Sequence, residues 1–283
     1  MTSLLDYNPR TEPIMTQAPD RTPIARLFKP RPGYIQHPLK AWPYTWSSVG
    51  WFLAAFIAMT ALWTLVGAAI VTWFEPSSIG QAEAEINFWL EDNRSDFLNT
   101  VAKVLSIPSD TPVKIGLVVA MIVVFPLVLR RWHDWAFLIG ALILEVSVYG
   151  AASSIVGRSR PDVERLTTAP TQSFPSGHMA AAITFYLGLV MVVYWNTNSQ
   201  LWRRLSLGVG ILIPVGMFVS RLYLGMHYVS DMIGGIALGV VSLIVAYNIA
   251  QDGLADHNAD EDRIQAPQVQ KLDLTPDDER IDL

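Results

Sequence analysis

Six apolar stretches almost empty of charge constrain this chain more than any other feature. They cover residues 47–74, 112–129, 135–156, 179–195, 205–220 and 229–250. An α-helix rises about 1.5 Å per residue, so crossing a hydrocarbon layer about 30 Å thick takes about 20 residues. Backbone polar groups find no water in lipid, so a spanning segment satisfies them internally as a helix. The expected fold is therefore all-α: a polytopic membrane helix bundle with six transmembrane helices. The fourth and fifth stretches are short and are expected to borrow polar residues at one end, the alternative being re-entrant segments. Glu145 interrupts the third and Asp231 lies near the start of the sixth.

Composition supports this reading and removes several function classes. Charged residues make up 16% of the chain, against about 25% in soluble domains. The net charge of −5 sits mostly in the tails, and no basic stripe suits a nucleic-acid backbone. There is no cysteine, which excludes disulfides and thiolate-bound zinc. Residues 1–46 carry Pro9, Pro13, Pro19, Pro23, Pro30, Pro32, Pro38 and Pro43, a density that opposes regular structure and predicts a disordered arm. Residues 251–283 are acidic, lack apolar periodicity and are expected to be disordered too. The membrane domain is thus expected over 47–250.

Lysine and arginine in short loops orient such a bundle. They gather in the N-terminal arm, at Arg130 and Arg131, and at Arg203 and Arg204. All three places share one side if every stretch spans, and that side, with both termini, is expected to be cytoplasmic. The opposite, extracytoplasmic side then holds the 75–111 region, the 157–178 loop and the turn near 223–228. In the 75–111 region Ile86, Trp89, Leu90, Phe97, Val101, Val104 and Leu105 recur at helical spacing. They predict an amphipathic helix, either packed across the bundle end or lying on the lipid surface. The 157–178 loop breaks the charge rule with Arg158, Arg160 and Arg165. His133, between the second and third stretches, reads as a solvated loop residue.

Three clusters at the extracytoplasmic ends of spans three to six carry the candidate chemistry. The first ends in Arg158-Ser159-Arg160-Pro161, the second is Ser173-Phe174-Pro175-Ser176-Gly177-His178, and the third runs from Ser220-Arg221 to His227 and Asp231. Pro175 turns the chain into a helix start, whose first amides are unpaired and attract anions. Gly177 would let a phosphate oxygen approach the backbone, and His178 follows in the first turn. His227 and Asp231 are four residues apart, which on a helix puts them on one face. A carboxylate on one ring nitrogen fixes the tautomer and frees the other to attack. Arg160 and Arg221 can fork onto phosphate and stay charged at any relevant pH.

Together the clusters resemble the signature of the type 2 phosphatidic acid phosphatase family, which also includes vanadium haloperoxidases: KxxxxxxRP, PSGH and SRxxxxxHxxxD. The matching stretches are SSIVGRSRP (153–161), PSGH (175–178) and SRLYLGMHYVSD (220–231). The resemblance implies that His227 is a nucleophile forming a phosphohistidine, that Asp231 orients it, and that His178 is the general acid. It also implies phosphate binding by Arg160, Ser176, Gly177 and Arg221, with neither metal nor cofactor. The substrate implied is a lipid phosphate in the bilayer, such as phosphatidic acid, phosphatidylglycerol phosphate or polyprenyl pyrophosphate. The compact architecture gives a bacterial plasma membrane as the expected setting. The family lysine is Ser153 here, and Arg158 is the candidate replacement. A phosphotransferase using the same histidine, or an inactive scaffold or transporter of the same fold, are the competing readings. Oligomeric state has no signature in the sequence.

Overall fold

The computed structural model describes residues 44–109, 111–124, 132–168 and 172–272. The proline-rich arm, except for its last residues, and residues 273–283 of the acidic tail lie outside the described residues. Helix α1 (Trp46–Ala69) ends in a π-helical turn, Ile70–Phe74. It opens on a reciprocal cap, in which Thr45 Oγ1 accepts from Ser48 N and Ser48 Oγ accepts from Thr45 N at 3.1 Å. Then come α2 (Ser78–Asp92), α3 (Asp96–Ser106) and α4 (Thr111–Val124). Helix α5 (Trp132–Val156) follows. Helix α6 (Gly177–Ala182) runs through a π-helical turn, Ile183–Leu187, into α7 (Gly188–Asn196). Helices α8 (Gln200–Tyr223) and α9 (Val229–Leu272) complete the chain. No strand occurs among the described residues.

Five of these segments are long and apolar enough to cross a membrane: Trp46–Phe74, His133–Val156, Gly177–Asn196, Gln200–Tyr223 and Val229–Asp252. The fourth and fifth expected spans reach full length by taking polar residues, Gly177 and His178 in one, Gln200, Arg203, Arg204 and Arg221 in the other. The second expected span is helical over Thr111–Val124, 14 residues, and its continuation at 125–131 lies outside the described residues. The bundle exterior is apolar, with Leu65 of α1 69% and Leu212 of α8 71% exposed. A surface of that kind is covered by lipid in a multi-pass protein. Lipid tails are as apolar as leucine, so close packing rather than water exclusion holds the interior together. Phe137, Leu138, Met191, Trp195 and Leu243 form one cluster, and Met59, Trp63, Val148, Phe174 and Leu238 another. A third, of Phe185, Met217 and Met232, joins α8 to α9 and the π-helical turn.

Three expectations change. The 75–111 region is two helices, not one, broken at Asn93–Ser95 where Ser95 caps α3 through Leu98 N at 3.3 Å. Its polar side faces the bundle, with Glu83, Asn87 and Ser106 buried, while Trp89 is 63% and Phe97 75% exposed. Apolar side chains facing outward beside membrane spans suit a helix pair that both caps the bundle and meets lipid. His133 is not a solvated loop residue: α5 begins one residue before it and buries it near Trp195, with ring centroids 6.5 Å apart. Finally, α9 continues past Ala250 to Leu272, into the stretch expected to be disordered. A helix already nucleated gains one hydrogen bond for each residue it fixes.

Candidate active site

The three motif clusters meet at one end of the bundle. Helix α5 stops at Val156 because Gly157 takes φ +65°, the left-handed conformation that ends helices and favours glycine. Gly157 N closes the last turn on Ser153 O at 3.1 Å. The chain re-enters the bundle at Ser173, and Ser176 caps α6, its Oγ accepting from Met179 N at 3.4 Å. The Ser176 amide donates to Asp231 O at 3.0 Å, tying the second motif to the third.

His227 and Asp231 converge, but not as neighbours on a helix. His227 precedes α9, and Asp231 is the third residue inside it. Asp231 Oδ2 reaches back to accept from Tyr228 N at 2.8 Å, which satisfies one of the orphan amides of the helix start. The same oxygen accepts from Ser173 Oγ at 2.5 Å, and Oδ1 accepts from Arg158 Nη1 at 2.5 Å. Asp231 Oδ2 stands 3.7 Å from His227 Nδ1, an ion-pair distance rather than a hydrogen bond. The hydrogen-bond partner of Nδ1 is instead Ser173 O, at 2.9 Å. A carbonyl only accepts, so Nδ1 carries the proton and Nε2 keeps its lone pair. Nε2 lies 3.4 Å from Arg160 Nη1.

Burial holds the His227 pKa below the ordinary 6.5. The neighbouring Asp231 charge opposes that shift, and the Arg160 and Arg221 charges add to it. The ring is therefore neutral at pH 7. Arg160 is fixed by backbone: Nη1 donates to Met226 O, and Nη2 to Gln172 O at 3.1 Å. Arg221 is buried in the last turn of α8. His178 is half-buried at the second position of α6.

Two expected site residues are engaged differently. A Cβ on Gly177 would meet three carbons of the Tyr149 ring at 2.6–2.8 Å, so the space beside this glycine is filled by Tyr149. Arg158, the candidate replacement for the lysine, is 2% exposed and held by acids. Its Nε donates to Glu75 Oε1 at 2.7 Å, its Nη2 to Glu83 Oε2 at 3.4 Å, and its Nη1 to both Asp231 and Ser230 Oγ, the latter at 2.7 Å. Burial opposes its charge, yet Asp231 and Glu75 raise its pKa above the usual arginine value. Ser153 itself is buried, with Oγ donating to Gly150 O at 3.4 Å. Ser173, Ser230, Glu75 and Glu83 gained no role from the sequence. The first two lie beside motif residues, whereas the glutamates sit in a region whose apolar spacing was its only signal. Among the described residues, no group of three or more His, Asp or Glu could hold a metal ion.

Residues 134–254 match the PAP2 superfamily. The PAP2 segment contains all three motifs, as their resemblance to type 2 phosphatidic acid phosphatases implied. Phosphatidylglycerophosphatase B of Bacillus subtilis is 34% identical over 88 residues, covering 30% of this chain and 43% of that protein. YbjG of Escherichia coli, provisionally assigned as an undecaprenyl-diphosphatase, is 30% identical over 118 residues, covering 39% of this chain and 54% of that one. The matched part of the chain thus spans about half the length of these PAP2 relatives. The crystal structure of a transmembrane PAP2-type phosphatidylglycerolphosphate phosphatase from Bacillus subtilis superposes with a TM-score of 0.60 at 21% identity, covering 70% of this chain and 96% of that one. This chain has the fold of that structure.

Proposed function

We propose that this chain is an integral membrane phosphatase that hydrolyses a lipid phosphomonoester or pyrophosphate through a phosphohistidine at His227. The observation that carries the reading is the geometry of the buried His227, whose Nδ1 lies 2.9 Å from the Ser173 carbonyl oxygen and whose Nε2 stands 3.4 Å from the Arg160 guanidinium. A nucleophile and a phosphate-binding cation share one point. Nε2 attacks phosphorus as the P–O bond to the lipid breaks, and His178 gives its proton to the departing oxygen. The imidazolium so formed keeps its Nδ1 proton on Ser173 O, with Asp231 at 3.7 Å neutralising its charge. His178 then takes a proton from water, which attacks phosphorus and breaks the P–N bond. Arg160, Arg221 and the first amides of α6, opened by Ser176 and Gly177, neutralise the phosphoryl oxygens. Phosphoryl transfer asks mainly for this positioning and charge stabilisation. None of these steps draws on a metal or cofactor.

The connectivity supports six spans. The ends of α1 and α5 both reach the site, since Glu75 and Arg158 pair at 2.7 Å. Helices α2 and α3 stay at that end, where Ser220 Oγ donates to Ala102 O at 2.7 Å. Helix α5 begins at the far end, so a further crossing is expected between α3 and α5, with α4 (Thr111–Val124) on that path. Six crossings put both termini on the side of the Arg130–Arg131 and Arg203–Arg204 loops, cytoplasmic by the charge rule, and the site on the extracytoplasmic face of the plasma membrane. A lipid headgroup can enter there sideways while its tails stay in the bilayer. The bacterial relatives act, by their names, on phosphatidylglycerol phosphate and undecaprenyl diphosphate, and these two lipids are the first substrates to try.

The test is phosphate release by purified protein in detergent, with EDTA present, comparing the parent with His227→Ala. The expected result is release from at least one of the two lipids and its loss in the variant. Release that persists in the variant overturns the phosphohistidine, and no release from any lipid phosphate overturns the phosphatase reading.

A further inference from the structure

A buried ionic cluster joins α2, which lies outside the PAP2 segment, to the centre of the site. Glu83 is 6% exposed. Its Oε1 accepts from Ser230 N, and its Oε2 accepts from Ser230 Oγ at 3.0 Å and from Arg158 Nη2 at 3.4 Å. Ser230 is the second residue of α9 and Asp231 the third. Arg158 spans both, donating through one nitrogen to Ser230 Oγ at 2.7 Å and to Asp231 Oδ1 at 2.5 Å. Its guanidinium lies over the Tyr228 ring, 4.4 Å from the centroid, and Glu75 anchors its Nε at 2.7 Å. The residues that follow His227 are thereby clamped: Tyr228 by stacking, Ser230 by Glu83, and Asp231 by Arg158.

We propose that Glu83 is a positioning residue for the reaction, acting through Ser230 and Arg158 to fix the start of α9 and to set the negative potential that Asp231 presents to His227. The inference rests on His227 being the nucleophile. Three features favour a role beyond filling space. A carboxylate this buried is held only where paired charges and hydrogen bonds meet it, and here both partners lead to Asp231. Glu83 and Arg158 are both buried, so their charges act at low effective dielectric. It accepts a helix-start amide of α9, so any displacement of Glu83 displaces the turn that carries His227. His227 meets Asp231, Arg160 and Arg221. Asp231 meets His227, Arg158, Arg160, Tyr228 and the Ser173 hydroxyl. Glu83 meets Arg158, which also holds Glu75, and the Tyr228 ring lies near both acids.

Glu83→Gln keeps the shape and removes one negative charge. The imidazolium of His227 then loses support, so its titration midpoint should move to lower pH. Looser positioning should lower kcat on the order of ten-fold with KM little changed, the scale at which outer hydrogen-bonding partners act on a reacting group. The midpoint is read by NMR on protein labelled with 15N-histidine, which has five histidines, the His227 signal being assigned with His227→Asn. This readout needs no turnover. If the parent releases phosphate from no lipid, the phosphatase reading fails while the midpoint still decides the role of Glu83. A parental midpoint together with a parental kcat in Glu83→Gln overturns the inference. A lower stability with an unmoved midpoint also overturns it, because a purely structural contact would do the same. Where Glu83→Gln does not fold, Glu83→Asp keeps the charge and withdraws the carboxylate by one methylene. It should retain the midpoint and lose kcat, and an unchanged kcat overturns the inference.

Discussion

Gly177→Ala is the sharpest test of how the PSGH motif is built. The added Cβ would lie 2.6–2.8 Å from three carbons of the Tyr149 ring. Carbon atoms rest at about 3.5–4.0 Å, so the ring or the start of α6 must yield by about 1 Å. Tyr149 belongs to the packed layer around Val148, Phe174 and Ala180, which limits its retreat. Overpacking of this kind costs about 1–3 kcal/mol. His178 is the next residue, so the same movement misplaces it, and a misplacement of about 1 Å can cost about 100-fold in rate. The expected result is a lowered melting temperature and a kcat about 100-fold down. The decisive arm is the Tyr149→Leu background, where the smaller side chain makes room. There Gly177→Ala should lose most of its penalty, a coupling of about 1 kcal/mol or more between the two sites. A penalty of equal size in both backgrounds would refute the steric reasoning. It would return Gly177 to the role expected from sequence, close passage for a phosphate oxygen.

Three further outcomes follow from the geometry. Ser173→Ala removes the hydroxyl that bonds Asp231 at 2.5 Å but keeps the carbonyl that holds His227 Nδ1. A lost hydrogen bond to a charged group costs about 1.5–3 kcal/mol, so the melting temperature should fall while 15N spectra still show His227 protonated on Nδ1; a change of tautomer would count against the assignment of its partner. Because burial and two arginines lower the His227 pKa, the reactive neutral form persists as pH falls below 6.5 and is lost only through the lower folded value. The acid limb of kcat should therefore lie below pH 6.5, and a limb at or above it contradicts the electrostatics. At the far end of the bundle, Asn196→Leu leaves the fully buried Asp134 without the amide that bonds it at 2.6 Å. The expected loss is about 1.5–3 kcal/mol of stability with kcat of the remaining folded protein unchanged, measured by thermal unfolding beside phosphate release.

The sequence determined the class of the molecule because its signals are local. A run of apolar residues the length of a bilayer specifies a spanning helix whatever its neighbours do, and it predicted the five membrane-length segments with their ends displaced by a few residues. The motif spacing 153–161, 175–178 and 220–231 named the residues that the structure gathers at one bundle end. What the sequence left open depends on partners far along the chain. Arg158 could be read as a spare cation for phosphate. Only the fold brings Glu75, Glu83 and Asp231 around it and turns it into a clamp. The i, i+4 spacing of His227 and Asp231 suggested a pair on one helix face; the two do pair, at 3.7 Å, but the helix begins between them and a carbonyl 54 residues away accepts the Nδ1 hydrogen bond. Gly177 reads as room for a ligand, and only the fold puts the Tyr149 ring, from another helix, against the side where a Cβ would lie. Hydrophobic runs and motif spacings are properties of a short stretch of chain. The protonation, orientation and charge of a buried side chain are set by whichever atoms packing delivers to it, and no short stretch encodes that.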